Sequence, residues 1–568
     1  MRIAIEHRPT RWLGVALGLV TAVGLGGCGK AGDEAWEARG GVTADAGGVA
    51  CRAANDCARG WTCNALRRCE RLDDSAGAGP TADAGIEIPS APEVELISEP
   101  PAVGRRYVYV AWPDDALAAR IEASTLAVQL RTLPGPPTAL RTVPGEDVAV
   151  VLSGSAAAAT ILRAQEDGSD EQLELPTVRA ANALFIAPDG RSAVALFDPQ
   201  RQTAAPVALD ASLNELTLLK LERGQERALR LVVGFRPRDV RFTPDGARAF
   251  VIAERSVATL RVAELTAPTF VPGIALSADP VGEPAPNEVQ ITPDGARAVV
   301  RLPGRSLLRV VELASGALHD LPLAAEPTDV DLTSDGRYAV LVLRETKAVL
   351  VVDLAADLSA SSALRTISTA PYLVGQTVLD PDGQAAFAFS NALRQEVLVR
   401  VDLKAGTVRP IRLEKGVSGV IVAPDGRSAL VLHNRVASPD ASVADPLARL
   451  IDQQDGYSVV DLRSEFVALH TTPAQPGPVA FTPDGDAAYL LLSDPLRGVR
   501  RAELIDLRTL LVRSVELAST PVALGVVPAG SLIHVVQRHP LGRMTFIDRR
   551  DEGQRTLTGF ALNHQIIE

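Results

Sequence analysis

The sequence predicts an all-β chain of about ten four-stranded units that close into a β-propeller. Three observations carry that prediction. A Pro-Asp-Gly or Ser-Asp-Gly turn recurs seven times, an alanine follows every turn glycine at one offset, and apolar runs ending in an acid follow in most units. At 568 residues the chain exceeds one ordinary core, and a repetitive domain that grows by adding units accounts for the excess. Composition is globular, 46% hydrophobic and 22% charged, with enough Val, Leu and Ala to bury a core.

Basic residues up to Arg11 precede the apolar run Trp12 to Leu25, and Leu25-Gly26-Gly27-Cys28 closes the N-terminal segment. That run is short for a permanent transmembrane helix. Small residues ahead of a cysteine resemble the lipobox of bacterial lipoproteins. The resemblance makes residues 1–27 a signal peptide and Cys28 the lipidated N-terminus, held by several acyl chains at about 0.8 kcal/mol per buried methylene. An uncleaved signal anchor, or an ordinary cleavable peptide with an incidental cysteine, is the competing reading. Gly29 after the cysteine, by resemblance to enterobacterial sorting, favours the outer membrane. The first 27 residues carry net +2, from Arg2, Arg8 and Arg11 against Glu6, so of the total −12 the remainder stands at −14. An acidic body of this kind argues against nucleic acid as a partner.

Residues 28–50 are rich in Gly, Ala and Asp, and residues 71–93 repeat that character; both read as flexible linkers. Between them, residues 51–70 hold Cys51, Cys57, Cys63 and Cys69 in the spacing C-x5-C-x5-C-x5-C. In an exported chain an even number of cysteines implies two disulfides, with three pairings open. Zinc competes, but structural zinc sites favour tighter cysteine pairs than this spacing provides. The string resembles the short cysteine-rich modules of bacterial surface lipoproteins. Few apolar residues lie there, so the crosslinks would hold the module together.

The body spans 94–568. Its turns are Pro188-Asp189-Gly190, Pro244-Asp245-Gly246, Pro293-Asp294-Gly295, Ser334-Asp335-Gly336, Pro381-Asp382-Gly383, Pro424-Asp425-Gly426 and Pro483-Asp484-Gly485. Proline sets φ, aspartate bonds the local backbone, and glycine takes the left-handed conformation that closes a bulged hairpin. Each aspartate therefore reads as a turn-former, not a catalyst. Ala193, Ala249, Ala298, Ala339, Ala386, Ala429 and Ala488 follow, small enough for the crowded inner part of a tapering sheet. Third strands end in Val352-Asp353-Leu354, Val401-Asp402-Leu403, Val460-Asp461-Leu462 and Ile505-Asp506-Leu507, with Glu312-Leu313 and Ile547-Asp548 as variants. Together these features resemble YVTN-type and lactonase-type β-propellers. The naming tetrapeptide and regular Trp-Asp dipeptides are absent, so the likeness concerns architecture and not a functional subfamily.

Weaker turns near Gly104, Gly145 and Gly530 raise the count to ten, with gaps of 41 to 59 residues. Propellers usually close with about four to eight blades, so the alternative is a seven- or eight-bladed ring with extra N-terminal β units. Second strands at Arg106 to Trp112 and Ser531 to Gln537 favour one large ring.

If the Asp-Gly turn joins the innermost strand to the second, the connections from second to third strand and from fourth to the next first share the opposite face. Two insertions fall there, and long loops on a rigid scaffold are where binding residues concentrate. The larger runs from Asn434 to Asp455 and makes His433, Asn434, Arg435, Asp440, Asp445, Asp452 and Asp455 the candidate ligand-face residues. The smaller runs from Ser277 to Asn287 and contains Asp279 and Glu283. Their acids suit a hard cation in type but lack the D-x-D-x-D-G spacing of a calcium loop, so no metal is assigned.

Searches for G-x-S-x-G, H-E-x-x-H, a P-loop or C-x-x-C-H find nothing, no cofactor is implied, and the histidines are scattered. Aromatic residues at 4% provide little stacking surface for sugars or bases. The expectation is a membrane-tethered, extracytoplasmic binding or scaffolding module for envelope or surface proteins. The rival is a lactonase-like hydrolase with a metal held by acids near the channel.

Overall fold

The computed structural model describes residues 102–568 apart from 113–115, 202–210, 393–394, 437–444, 529–531, 552, 561–565 and 568, together with two short strands nearer the N-terminus. Those strands, Trp61–Cys63 and Cys69–Arg71, pair antiparallel and bring Cys63 opposite Cys69 along the backbone. Cys28, Cys51 and Cys57 lie outside the described residues.

Within the body, antiparallel sheets follow one another along the chain, each built in the order first, second, third, fourth strand. Blade 3 shows the pattern: Ala183–Ile186, Ser192–Leu196, Glu215–Lys220 and Arg227–Val232. Blades 2 to 10 each have these four positions, and blade 1 is described by Tyr107–Trp112, Leu117–Glu122 and Val128–Thr132. Two sheets gain a fifth strand. Thr269–Phe270 pairs parallel with the outer strand of blade 3, and Ile566–Ile567 pairs with the outer strand of blade 10.

Closure is visible in the cores. Ten apolar clusters exist, one for each pair of neighbouring blades. The deciding one packs Val108, Ile121 and Leu126 of blade 1 against Met544, Phe546 and Leu557 of blade 10. Arg555 of blade 10 also donates to the carbonyls of Ser124 and Ala123. The chain is a ten-bladed β-propeller. The smaller ring with extra units is therefore excluded, and both strands singled out in blades 1 and 10, Tyr107–Trp112 and Leu532–Gln537, occupy the second position.

Every turn glycine from Gly190 to Gly485 has φ between +62° and +73°. The aspartates cap the turns: Asp245 Oδ1 accepts from Thr243 Oγ1 and, at 3.0 Å, from the Ala247 amide. Asp189, Asp294, Asp335, Asp425 and Asp484 each accept from the second amide onward in the same way. Blade 7 departs from the pattern. There Asp380, two residues ahead of Asp382, accepts from the Gln384 and Ala385 amides. Gly104 is also different, since it lies outside the left-handed region and is needed because a Cβ would stand 2.8 Å from the Glu146 carbonyl.

All seven alanines are fully buried, and each belongs to the cluster shared with the preceding blade. Each lies opposite the last residue of its own first strand, as Ala339 lies opposite Leu332. The acids ending the third strands also cap turns: Asp402 accepts from the Lys404 and Ala405 amides, and Asp506 from those of Arg508 and Thr509. One face thus carries all first-to-second and third-to-fourth hairpins. The connections between second and third strands, and between blades, form the other, called here the loop face.

Candidate functional site: the loop face

Both insertions lie on the loop face. The larger links the second strand of blade 8, Ser428–His433, to its third, Asp455–Asp461; the smaller links Gly273–Ala275 of blade 4 to Glu288–Ile291 of blade 5. Their polar groups turn inward more than the sequence suggests.

His433 is fully buried, with Nδ1 2.8 Å from the Gly416 carbonyl and Nε2 2.8 Å from Ser458 Oγ. Burial pushes its imidazole down to about 4. Asp455 is buried and accepts from the Arg435 amide at 2.9 Å. Asn434 Oδ1 accepts from Gln475. Asp445 is the N-cap of the short helix α1, Pro446–Asp452, accepting from the Leu447 amide at 2.9 Å. At the other end of α1, buried Lys415 donates to the carbonyls of Ile451 and Asp452, where the helix dipole favours a cation. Asp452 is buried, and Asp440 lies outside the described residues. The described ones among these side chains bond within the insertion and to its neighbouring loops.

The smaller insertion is clamped. Buried Arg309 in the third strand of blade 5 grips Glu283 at 2.6 and 3.0 Å and Asp320 at 2.6 and 2.8 Å, and donates to the Leu276 carbonyl. The guanidinium, helped by Ser277, holds the Glu283 carboxyl down to about 2. Asp279 accepts from the Val281 and Gly282 amides and shapes the tip.

Arg309 stands three residues before the acid that ends its strand. The same position is apolar in blades 6 and 7 (Leu350, Val399) and polar in blades 8, 9 and 10. There Ser458 meets His433, Glu503 accepts from Tyr457 across the interface of blades 8 and 9, and Thr545 bonds Gln537. His470 stacks on Tyr457 at 5.3 Å, and desolvation pushes its imidazole down. Lys415, Arg309 and the Tyr457–Glu503 pair were not singled out from sequence. The available signal is one polar residue inside an apolar third strand.

Among the described residues no three His, Cys, Asp or Glu side chains converge in a way that could hold a metal ion. A cleft of 280 Å³ lies on the hairpin face, lined by Arg105, Arg106, Glu146, Asp147, Arg163 and Arg223 among others. Much of its charge is paired, as in Arg106–Asp147 and Arg163–Glu226. No helix among the described residues is long and apolar enough to cross a membrane.

No protein-family profile matches the chain, and no curated protein matches it. Solved structures similar to it include hydrazine synthase of Kuenenia stuttgartiensis (18% identity, 55% of this chain and 96% of that one, TM-score 0.33). The dihydro-heme d1 dehydrogenase NirN is similar at 18% identity over 65% of this chain and 73% of that one, with TM-score 0.39. The apo protein AztD of Citrobacter koseri is similar at 12% identity over 73% and 95%, with TM-score 0.38. The ring rests on its own strand order and shared cores.

What the loop face exposes is apolar. Phe235 and Val281 stand in the connections between blades 3 and 4 and between blades 4 and 5. Leu447 and Leu450 stand on α1, and Leu496 and Leu541 in the second-to-third connections of blades 9 and 10. Val281 is 96% and Leu496 99% exposed. Elsewhere Leu511 is exposed in a hairpin turn, Phe466 at the start of a fourth strand, Phe270 on the strand added to blade 3, and Val232 and Val522 on strands.

Proposed function

We propose that the chain is a lipid-tethered, extracytoplasmic β-propeller that acts as a binding or scaffolding module for proteins of the cell envelope, docking them on its loop face. One observation carries this reading: among the described residues six large apolar side chains stand exposed in that face's connections, against Leu511 and Phe270 in third-to-fourth connections and Val232, Phe466 and Val522 on strands. Exposed apolar surface concentrated on one side of a soluble ring is the usual mark of an interaction surface. The smaller insertion supports the same reading, because Arg309 and Glu283 hold it in place, and a preformed loop binds without a large ordering cost. The lipobox at Cys28 supports the tether and the acidic body speaks against nucleic acid, so membrane and protein partners are the ones to seek.

Photo-crosslinking residues placed at Phe235 and Val281 in intact cells should give discrete protein adducts, and the same residues at Phe466 and Leu511 should not. Equal yields from both faces would remove the reading. Acyl labelling in cells should be lost in Cys28→Ser; if it persists or was never present, the tether falls.

A further inference from the structure

We infer that one sector of the loop face, formed by blades 8 to 10, seats on an anionic lipid surface, its leucines entering the acyl boundary and its arginines meeting headgroup phosphates. This rests on the loop face being the contact face. It assigns only that sector, leaving Phe235 and Val281 on blades 3 to 5 for a protein.

Three successive blades present leucine beside arginine in the same connection, from second to third strand. In blade 8 it is Leu447 and Leu450 with Arg449, in blade 9 Leu496 with Arg497, and in blade 10 Leu541 with Arg538. Leu447 is 61% exposed, and Leu496 has almost no protein neighbour at all. They stand in three separate connections, with exposure falling from Leu496 to Leu541. A protein partner would need a pocket for each, whereas a bilayer surface meets every tip on one side of a rigid ring at once. Aliphatic side chains flanked by guanidinium groups are what the headgroup boundary accepts, since the long arginine stem reaches back to phosphate while the leucine descends.

Charge points the same way. On this face, the connections of blades 9 and 10 at 473–475, 495–498, 517–520 and 538–542 contain Arg497, Arg538 and His539 and no acid. Arg497 keeps its guanidinium half exposed while resting 3.5 Å from Asp494. In a chain whose net charge beyond residue 27 is −14, the acid-free connections of blades 9 and 10 are a local reversal, while the blade 8 insertion sets Arg449 among Asp440, Asp445 and Asp452. An anionic surface would repel the rest of the ring and accept this part, which fixes orientation as well as contact.

The test uses the full lipidated chain reconstituted on vesicles of phosphatidylcholine and phosphatidylglycerol in equal parts, carrying an acyl-linked quencher. A dye attached in Leu496→Cys or Leu541→Cys should be quenched, and one in Leu511→Cys or Phe466→Cys should not. Equal quenching at all four, or none at Leu496 and Leu541, overturns the proposal. In the full chain with Cys28→Ser, adding Arg449→Gln, Arg497→Gln and Arg538→Gln together should weaken vesicle binding on the order of a hundredfold, at about fivefold per arginine. Unchanged affinity, with thermal unfolding also unchanged, overturns it. Protein adducts without lipid contact at Leu496 in cells would also overturn it, yet leave the protein reading of Phe235 and Val281 intact. Lipid contact at Leu496 without adducts at Phe235 and Val281 would sink that broader reading and spare this one.

Discussion

The hairpin face repeats and the loop face does not. On the hairpin side, seven turns share an Asp-Gly pair with a left-handed glycine, six of them capped by that aspartate, and turns touch from blade to blade. A Cβ on Gly246 would stand 2.4 Å from the Asp189 carboxyl carbon, one on Gly336 2.5 Å from Pro293 Cδ, and one on Gly485 2.5 Å from the Asp425 carboxyl carbon. On the loop side most connections are short and several share a length, but three are long, 197–214, 276–287 and 434–454, and the last two are fastened by unique polar groups, Arg309 and Lys415. Sameness around the ring serves closure, because each blade must meet its neighbour at the same angle. Difference is left for the side that meets something else, and substitutions can test whether the two faces divide the work in this way.

The largest effect should come from Arg309→Met. Removing one partner of a buried charged network strands the others, at a cost of about 3 kcal/mol or somewhat more. Denaturant unfolding should register that loss, and limited proteolysis should cut between Ser277 and Asn287 well before the ring opens. A pH dependence goes with it. Glu283 is held down to about 2 from an ordinary carboxylate value, so its contribution is complete above about 4.5 and is lost as pH falls toward 2. Glu283→Gln should abolish that acid sensitivity; if protection of the loop is unchanged in both variants, the clamp is idle.

The buried histidines come next. His433 and His534 are both pushed down to about 4, so between pH 6.5 and 4 the unfolded chain binds protons that the folded chain refuses. Stability therefore falls as pH drops through that window, by roughly 3 kcal/mol for His433 alone. Stability measured against pH should flatten by about one proton in His433→Gln. A slope identical to the parent would mean that this imidazole is accessible after all.

These two effects also mark where the sequence was legible. Turn and alanine recur seven times, and the terminal acid with them in most units, because they answer one geometric demand, and recurrence is visible without coordinates. The blade count followed from the same spacing, including blades 1 and 10, where the motif has decayed. The loop-face residues did not repeat, so sequence could place His433 and Asp455 in an insertion but not say which way they pointed. His433 ends a strand that is buried along its whole length, and its partner Ser458 is twenty-five residues away across the insertion. Arg309 looked like one more strand charge until Glu283, from the neighbouring blade's connection, closed over it.

Turn glycines sharpen the account of the repeating face by separating two reasons for one residue. Gly295 has φ +62°, and a Cβ there would lie 2.2 Å from Phe250 Cζ, whereas Gly145 has φ +72° and nothing within 4 Å. Gly145→Ala should cost about 1 kcal/mol, the strain of the left-handed conformation. Gly295→Ala carries that strain and also presses on Phe250 of the preceding blade, adding about 1 kcal/mol or more of overpacking. Equal destabilisation of the two, measured by unfolding, would mean that the turns do not brace one another.

The smallest effect on stability should belong to the residue most open to solvent. Leu496→Ser removes an aliphatic tip with almost no neighbours, so unfolding should shift by less than about 0.5 kcal/mol. A larger loss would mean that the tip packs somewhere in the folded chain, and its claim to be contact surface would weaken. If stability holds while envelope association drops, the loop face is doing work that folding does not require, which is the division of labour the two faces imply. Serine suits this comparison because it keeps the turn chemistry of a loop position and changes only the apolar surface offered outward.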